Sequence, residues 1–226
     1  MSSTPAEHNH TPDTQPTAGG LHLDQISVSD YDNNCYLLVD HDRTLPNGTH
    51  PALLIDAADD APALLQLAAD NHATITDLLT THQHFDHIRA TEEILHKTGA
   101  THYVPGPDAA GIPGQHDEIL SDGDTITFGH HSLGVRIVSG HTPGGAIVST
   151  HLAGDSAAHI FVGDNIFPGG VGKTDNPDDF TSLLNGVIDA VFNSFSDDAV
   201  VHPGHGASTT VGTERPNLEQ WRQRGW

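Results

Sequence analysis

Apolar positions along the chain follow two rhythms. Leu21, Leu23, Ile26 and Val28 alternate imperfectly and Cys35 to Val39 is a denser run, so strands are predicted over Leu21–Ser29 and Cys35–Val39, with Tyr31-Asp32-Asn33-Asn34 turning between them. Pro46 and Asn47-Gly48 mark another turn within Arg43–His50, and Ala52–Ile55 is the next strand, ended by Asp56. Asp59-Asp60 with Pro62 predicts a helix start, and Leu64, Leu65, Leu67 and Ala68 give that helix an apolar face that ends near Asn71. Ile75, Leu78 and Leu79, running into Thr80-Thr81, suit a buried strand, whereas Ile88, Glu92, Ile94 and Leu95 recur at helical spacing. Further strands are expected at Thr101–Val104, Thr125–Phe128, Leu133–Val138, Ile147-Val148 and His159–Val162. Pro105–His116 holds three prolines and three glycines and reads as a loop, either bordering a site or merely connecting. Gly129-His130-His131 reads as an exposed turn, with its paired histidines as metal ligands the weaker alternative. Asn176-Pro177-Asp178-Asp179 supplies an N-cap, a proline at the first helical position and acids at the positive helix end. From there Phe180, Leu183, Leu184, Val187, Ile188, Val191, Phe192 and Phe195 make one wide apolar stripe that should pack on a sheet. A strand at Ala199–Val201 and a short helix near Leu218 and Trp221 complete the pattern.

Length and charge narrow the classes. A chain of 226 residues suits one domain with a sizeable core, placed here over residues 21–226. Residues 1–20 carry Pro5, Pro12, Pro16 and Gly19-Gly20 without a continuous apolar core, so they are expected to be a disordered tail and no secretory signal. The formal net charge is -22, from 8 Lys plus Arg against 30 Asp plus Glu. Such a surface repels phosphate backbones and anionic membranes, so neither nucleic acid nor membrane is an expected partner. Cys35 is the only cysteine, which rules out an intramolecular disulfide and suits a reducing, cytoplasmic setting. It reads as a small buried strand residue, a catalytic thiol being the weaker alternative. Oligomeric state is left open.

The chemistry gathers at Thr81-His82-Gln83-His84-Phe85-Asp86-His87, at the predicted strand-to-helix junction. A single histidine among 19 would carry little weight. His82, His84, Asp86 and His87 together are four metal-competent side chains in six positions, too many for one tetrahedral ion and natural for two adjacent ions.

At this string the chain resembles the metallo-β-lactamase superfamily, and the resemblance continues through His141 in Ser139-Gly140-His141-Thr142-Pro143-Gly144, Asp164 in Val162-Gly163-Asp164 and His205 in His202-Pro203-Gly204-His205-Gly206. It is most similar to the glyoxalase II-like hydrolases, in which an N-C-Y segment also matches Asn34-Cys35-Tyr36. The resemblance implies an α/β fold, a four-layered αβ/βα sandwich with two divalent metals at one edge. It implies that His82, His84 and His141 hold one ion, that Asp86, His87 and His205 hold the other, and that Asp164 bridges them, a carboxylate having two oxygens to offer. Nitrogen and oxygen donors without thiolate favour zinc and are compatible with iron or manganese. Two cations around one water lower its pKa to about 7 or below, so metal-bound hydroxide is the implied nucleophile, with Asp86 and Asp164 as ligands that also orient the water. The implied substrate is a small thioester of the S-lactoyl thiol type, because thiolate leaves with little need of a general acid. Asp56 is either an ordinary strand-terminal residue or a hydrogen-bonding support for the metal loop.

Lys173, in Gly169-Gly170-Val171-Gly172-Lys173-Thr174, matches a position where this family meets a substrate carboxylate, with a solvated loop lysine as the alternative. Asp175 stands where that family often has an aromatic, and Gly145 where many have a second histidine after His-Thr-Pro-Gly, so glutathione as thiol carrier is not implied. The helical domain that larger glyoxalase II enzymes carry after this point is not expected here. A mononuclear iron persulfide dioxygenase shares these motifs and is the alternative enzyme; a non-catalytic metal-binding protein is the alternative of another class.

Overall fold

The computed structural model describes residues 20–225, so the tail expected over residues 1–20 lies outside the described residues except for Gly20. The first sheet has the order β1 (Leu21–Val28), β2 (Asn33–Asp40), β3 (His50–Ile55), β4 (Ala73–Leu79), β5 (Thr101–Pro105), β6 (Glu118–Leu120), antiparallel as far as β3 and parallel from β3 onward. In the second sheet β7 (Thr125–Phe128), β8 (His131–Val138), β9 (Gly145–His151) and β10 (Ala158–Gly163) form an antiparallel meander. A two-stranded ribbon of β11 (Ile166–Phe167) and β12 (Gly170–Val171) follows, and the chain then returns as β13 (Val200–Pro203), parallel to β10, with β14 (Thr209–Thr210) at the edge. Helices α1 (Ala61–Asp70) and α2 (Thr91–Thr98) cover the first sheet; α3 (Pro177–Val187) and α5 (Leu218–Arg224) cover the second, with α4 (Val211–Glu214) between β14 and α5.

Strand β2 shows why the layers stack as they do. Successive side chains of a strand point to opposite faces. Cys35, Leu37 and Val39 pack with Leu64, Leu67 and Ile94 of the helices, whereas Tyr36 and Leu38 pack with Phe128, Leu133 and Phe161 of the other sheet. All eight residues are buried, so the dense apolar run is a central strand covered on both sides. The second sheet repeats the arrangement outward, where Val138, Ile147, Ile160 and Val162 meet Phe180, Leu183, Leu184, Val187 and Trp221. Helix, sheet, sheet, helix is the four-layered αβ/βα sandwich expected from the resemblance.

The departures are local. The apolar stripe from Phe180 to Phe195 reads as one helix, but α3 ends at Val187 and Ile188–Phe192 forms a wider π turn, closed by Asn193 N–H donating to Ile188 O at 2.8 Å. Pro105–His116 contains a 3₁₀ segment over Gly106–Gly111. Strand β6 escapes the hydrophobic pattern because it is three residues long with Ile119 exposed. His131, expected in an exposed turn, opens β8 opposite Phe128. Among the described residues no helix is long and apolar enough to cross a membrane.

Candidate metal centre

The four ligand-bearing segments each follow the C-terminal end of a strand: residues 82–87 after β4, His141 after β8, Asp164 after β10 and His205 after β13. Strand ends of one direction open a crevice at one edge of a sheet. After Thr81 the chain runs extended through His84 and then makes a single 3₁₀ turn over Phe85–His87, with α2 starting only at Thr91. The extended part and the turn send the histidines in different directions. His82 and His84 face His141; His87 faces His205.

The donor atoms stand as if around cations. His82 Nε2 and His84 Nδ1 are 3.1 Å apart, as are His87 Nε2 and His205 Nε2. Asp164 Oδ2 lies 3.5 Å from His141 Nε2, 4.0 Å from His82 Nε2 and 3.5 Å from His205 Nε2, which places one carboxylate between both groups. Asp86 Oδ2 is 3.3 Å from His205 Nε2 and 3.7 Å from His87 Nε2. Two ligands bonded at about 2.1 Å to one tetrahedral ion are separated by roughly 3.4 Å, so these spacings suit the edges of coordination polyhedra. Within the set His82, His84, His141, Asp164, and again within Asp86, His87, His205, the donor atoms lie within 4.8 Å of one another. His141 Nε2 and Asp164 Oδ1 are buried without a hydrogen-bond partner among the described residues. Groups of this kind are rarely left unsatisfied, and a cation is the partner their chemistry fits. The resident donors are imidazole nitrogens and carboxylate oxygens, a set suited to zinc, iron or manganese.

Electrostatics agree with the geometry. Burial, reinforced by the charge of His87, holds His82 well below the usual imidazole range, leaving it neutral with a lone pair to give. Burial opposes charge on Asp164, but the rings of His141, His205 and His87 crowded around it outweigh burial and keep the carboxyl well below its ordinary value. Burial also opposes charge on His87, yet Asp164 and Asp56 raise its pKa to about 10. A metal held by His87 Nε2 would require that nitrogen without its proton, so binding there would release one.

Supporting bonds fix the rings. His141 Nδ1–H donates to Lys173 O and His205 Nδ1–H to Tyr31 O, both at 2.7 Å, which leaves each Nε2 as the free acceptor. Asp56, in the left-handed region at φ 59°, accepts from Thr81 N–H at 2.7 Å, Thr81 Oγ1 at 2.8 Å and His87 Nδ1–H at 2.9 Å. Of its two readings, support for the metal loop is the one the bonds describe. Gly163, at φ 50°, lets β10 pass β4, where a Cβ would lie 2.7 Å from Thr81 Oγ1.

Two residues at the centre carry no functional signal in the sequence. Asn33, read only as part of a turn, opens β2 and donates from Nδ2 to Asp86 Oδ2 at 3.1 Å. Asp108, fully buried in the Gly- and Pro-rich loop, accepts from Gln83 N–H at 3.0 Å and Gly144 N–H at 2.8 Å, so this loop borders the centre. An isolated Asp among Gly, Pro and Ala carries no spacing signal. Lys173 presents an exposed side chain with no ion pair among the described residues, while its backbone touches the centre through His141. Cys35 is buried and burial pushes its thiol up to about 12, as fits a strand residue and not a nucleophile.

Fold and donor set together define an αβ/βα sandwich with a histidine- and aspartate-lined centre at its strand ends. Residues 28–205 match the model of the metallo-β-lactamase superfamily, and the chain belongs to that superfamily. It is 30% identical over 207 residues to an uncharacterized protein of Mycobacterium tuberculosis, covering 80% of this chain and 89% of that one. It is 26% identical over 215 residues to the hydroxyacylglutathione hydrolase GloC of Haemophilus influenzae, covering 86% and 95% of the two chains. The crystal structure of ETHE1 from Myxococcus xanthus superposes with a TM-score of 0.72 at 24% identity, over 89% of this chain and 85% of that one, a likeness of fold.

Proposed function

We propose that this protein is a dinuclear metal-dependent hydrolase acting on a small thioester of the S-lactoyl thiol type. The observation that carries the reading is the completeness of both donor groups, His82, His84, His141 and Asp86, His87, His205, around Asp164. A single-ion oxygenase needs only two histidines and one carboxylate, and would leave the second group without a task. Homology to hydroxyacylglutathione hydrolases, GloC among them, supports hydrolysis of a hydroxyacyl thioester. Two divalent cations bound there supply Lewis acidity toward the acyl carbonyl and make a water acidic enough to ionise near neutral pH.

The chain's own residues do the rest. Asp164, kept ionised by His141, His205 and His87, presents Oδ2 to both donor groups, and Asp86 is oriented by Asn33. These carboxylates hold and align the attacking water. Lys173, whose backbone carbonyl accepts from His141 and whose side chain is exposed, would receive a carboxylate on the substrate. A thiolate leaving group requires no proton donor.

The test is metal counting combined with turnover. The purified chain should bind two ions in the centre and cleave S-lactoyl thioesters without oxygen; Asp164→Ala should lose both metal and turnover. One iron per chain with oxygen uptake on a persulfide would overturn the reading, as would Asp164→Ala retaining two ions and the normal rate.

A further inference from the structure

Strand β2 begins at the candidate metal centre with Asn33 and ends, seven residues later, at Asp40. At a strand rise of about 3.3 Å the two ends are roughly 23 Å apart. A second group of metal-competent side chains gathers at the far end: Asp40, Asp42 in the following turn, and His131, which opens β8 in the other sheet. Their donor atoms lie within 4.8 Å of one another, with His131 Nε2 3.2 Å from Asp40 Oδ1 and 3.8 Å from Asp42 Oδ2.

Asp40 is the telling residue. Its side chain is 0% exposed. Oδ1 accepts from Asp42 N–H at 3.0 Å and faces His131, but Oδ2 is buried with no hydrogen-bond partner among the described residues. Oδ2 rests against the bare α-carbon of Gly129, where any Cβ would collide with it, so it faces the hairpin turn that carries His131. Asp42 Oδ1 accepts from Gly20 N–H at 2.9 Å, which leaves its Oδ2 directed at His131. Among the described residues no Lys or Arg forms an ion pair with either aspartate. A protonated His131 would reach Oδ1 of Asp40 and still leave Oδ2 alone. A buried carboxylate half unsatisfied is costly, and a cation held by both oxygens of Asp40 would remove that cost.

We propose that Asp40, Asp42 and His131 form a structural divalent-cation site of the zinc type, separate from the centre at the other end of β2. One imidazole and two carboxylates are a donor set that zinc accepts, with water completing the coordination. Asp42, whose side chain is 42% exposed, gives the ion a route in. Asp40 belongs to the first sheet and His131 to the second, so the ion would join the two sheets where, among the described residues, no other such donor group does so at that end. This does not depend on the proposed hydrolase activity.

The experiment is equilibrium dialysis of the full chain against micromolar free zinc, followed by metal counting, for the wild type, His131→Ala and Asp42→Ser. The wild type should hold one more zinc per chain than either variant, with thioester turnover equal in all three. Asp42→Ser, at the more exposed position, serves if His131→Ala fails to fold. As an independent readout, zinc should still raise the unfolding temperature of Asp164→Ala, and adding His131→Ala to it should abolish the rise. Equal zinc counts in the wild type and Asp42→Ser would overturn the proposal, and so would a zinc-induced rise that survives His131→Ala.

Discussion

Asp56 governs the candidate centre through a single side chain that touches no ion. It binds His87 and both polar groups of Thr81, so Asp56→Asn should loosen the His87 ring and weaken binding in the Asp86, His87, His205 group by roughly 10- to 100-fold, read by competition with a chromophoric chelator. Unchanged affinity would reduce Asp56 to a strand terminus. Lys173→Ala should raise KM for carboxylate-bearing thioesters by the equivalent of about 1 to 3 kcal/mol with kcat little altered, and an unchanged KM would return Lys173 to solvent. His202, three residues before His205, is stacked on Phe161 and bonded to His159 at 2.9 Å, and burial lowers its pKa to about 3. Its folded pKa lies below its unfolded value near 6.5, so the unfolded chain binds the proton more readily. Its contribution is complete above about pH 6.5 and is lost as pH falls toward 3, by at most about 1.4 kcal/mol per pH unit. Urea unfolding between pH 7 and 5 should show a shallower slope for His202→Gln than for the wild type. The seven side chains that gather at the candidate centre were legible in the sequence because four sit in one string and three in short Gly-rich motifs. Asn33 and Asp108 were not, since each acts through a contact with a residue far along the chain that no spacing announces.

Among the elements, α3 was the most legible, and its cap is the reason. Asn176 Oδ1 accepts from the N–H groups of Asp178 and Asp179 at 3.0 and 2.9 Å. Asn176→Ala should therefore cost about 1 kcal/mol, and Leu184→Ala, at a position with 0% exposure, about 2 to 5 kcal/mol; a denaturant titration measures both. A loss under 1 kcal/mol at Leu184 would mean that the second sheet repacks around the gap. The π turn after Val187 keeps Val191 and Phe192 in the core while adding a residue to the turn. Apolar spacing is tolerant of that shift and so could not reveal it. Strands covered on both faces, such as β2, announce themselves as apolar runs, whereas the edge strand β6 has too little buried surface to leave a pattern.

At the scale of the molecule, periodicity indicates which positions are apolar but not which layer they meet; the order of the four layers was available only through resemblance. The net charge of -22 makes the compact state work against its own repulsion, so its unfolding temperature should rise between low and high sodium chloride as the Debye length falls from about 10 Å at 0.1 M to about 3 Å at 1 M. An unfolding temperature indifferent to salt would mean that the acids are already neutralised, by bound cations among other means. The donors of the candidate centre are contributed by strand ends as far apart in the chain as β4 and β13. During synthesis, the first histidine leaves the ribosome more than a hundred residues ahead of the last. Until His205 emerges the nascent protein can offer only an incomplete set of the candidate ligands, so on the dinuclear reading loading with metal would be a late event, and a chain arrested within α3 is expected to stay without the second ion.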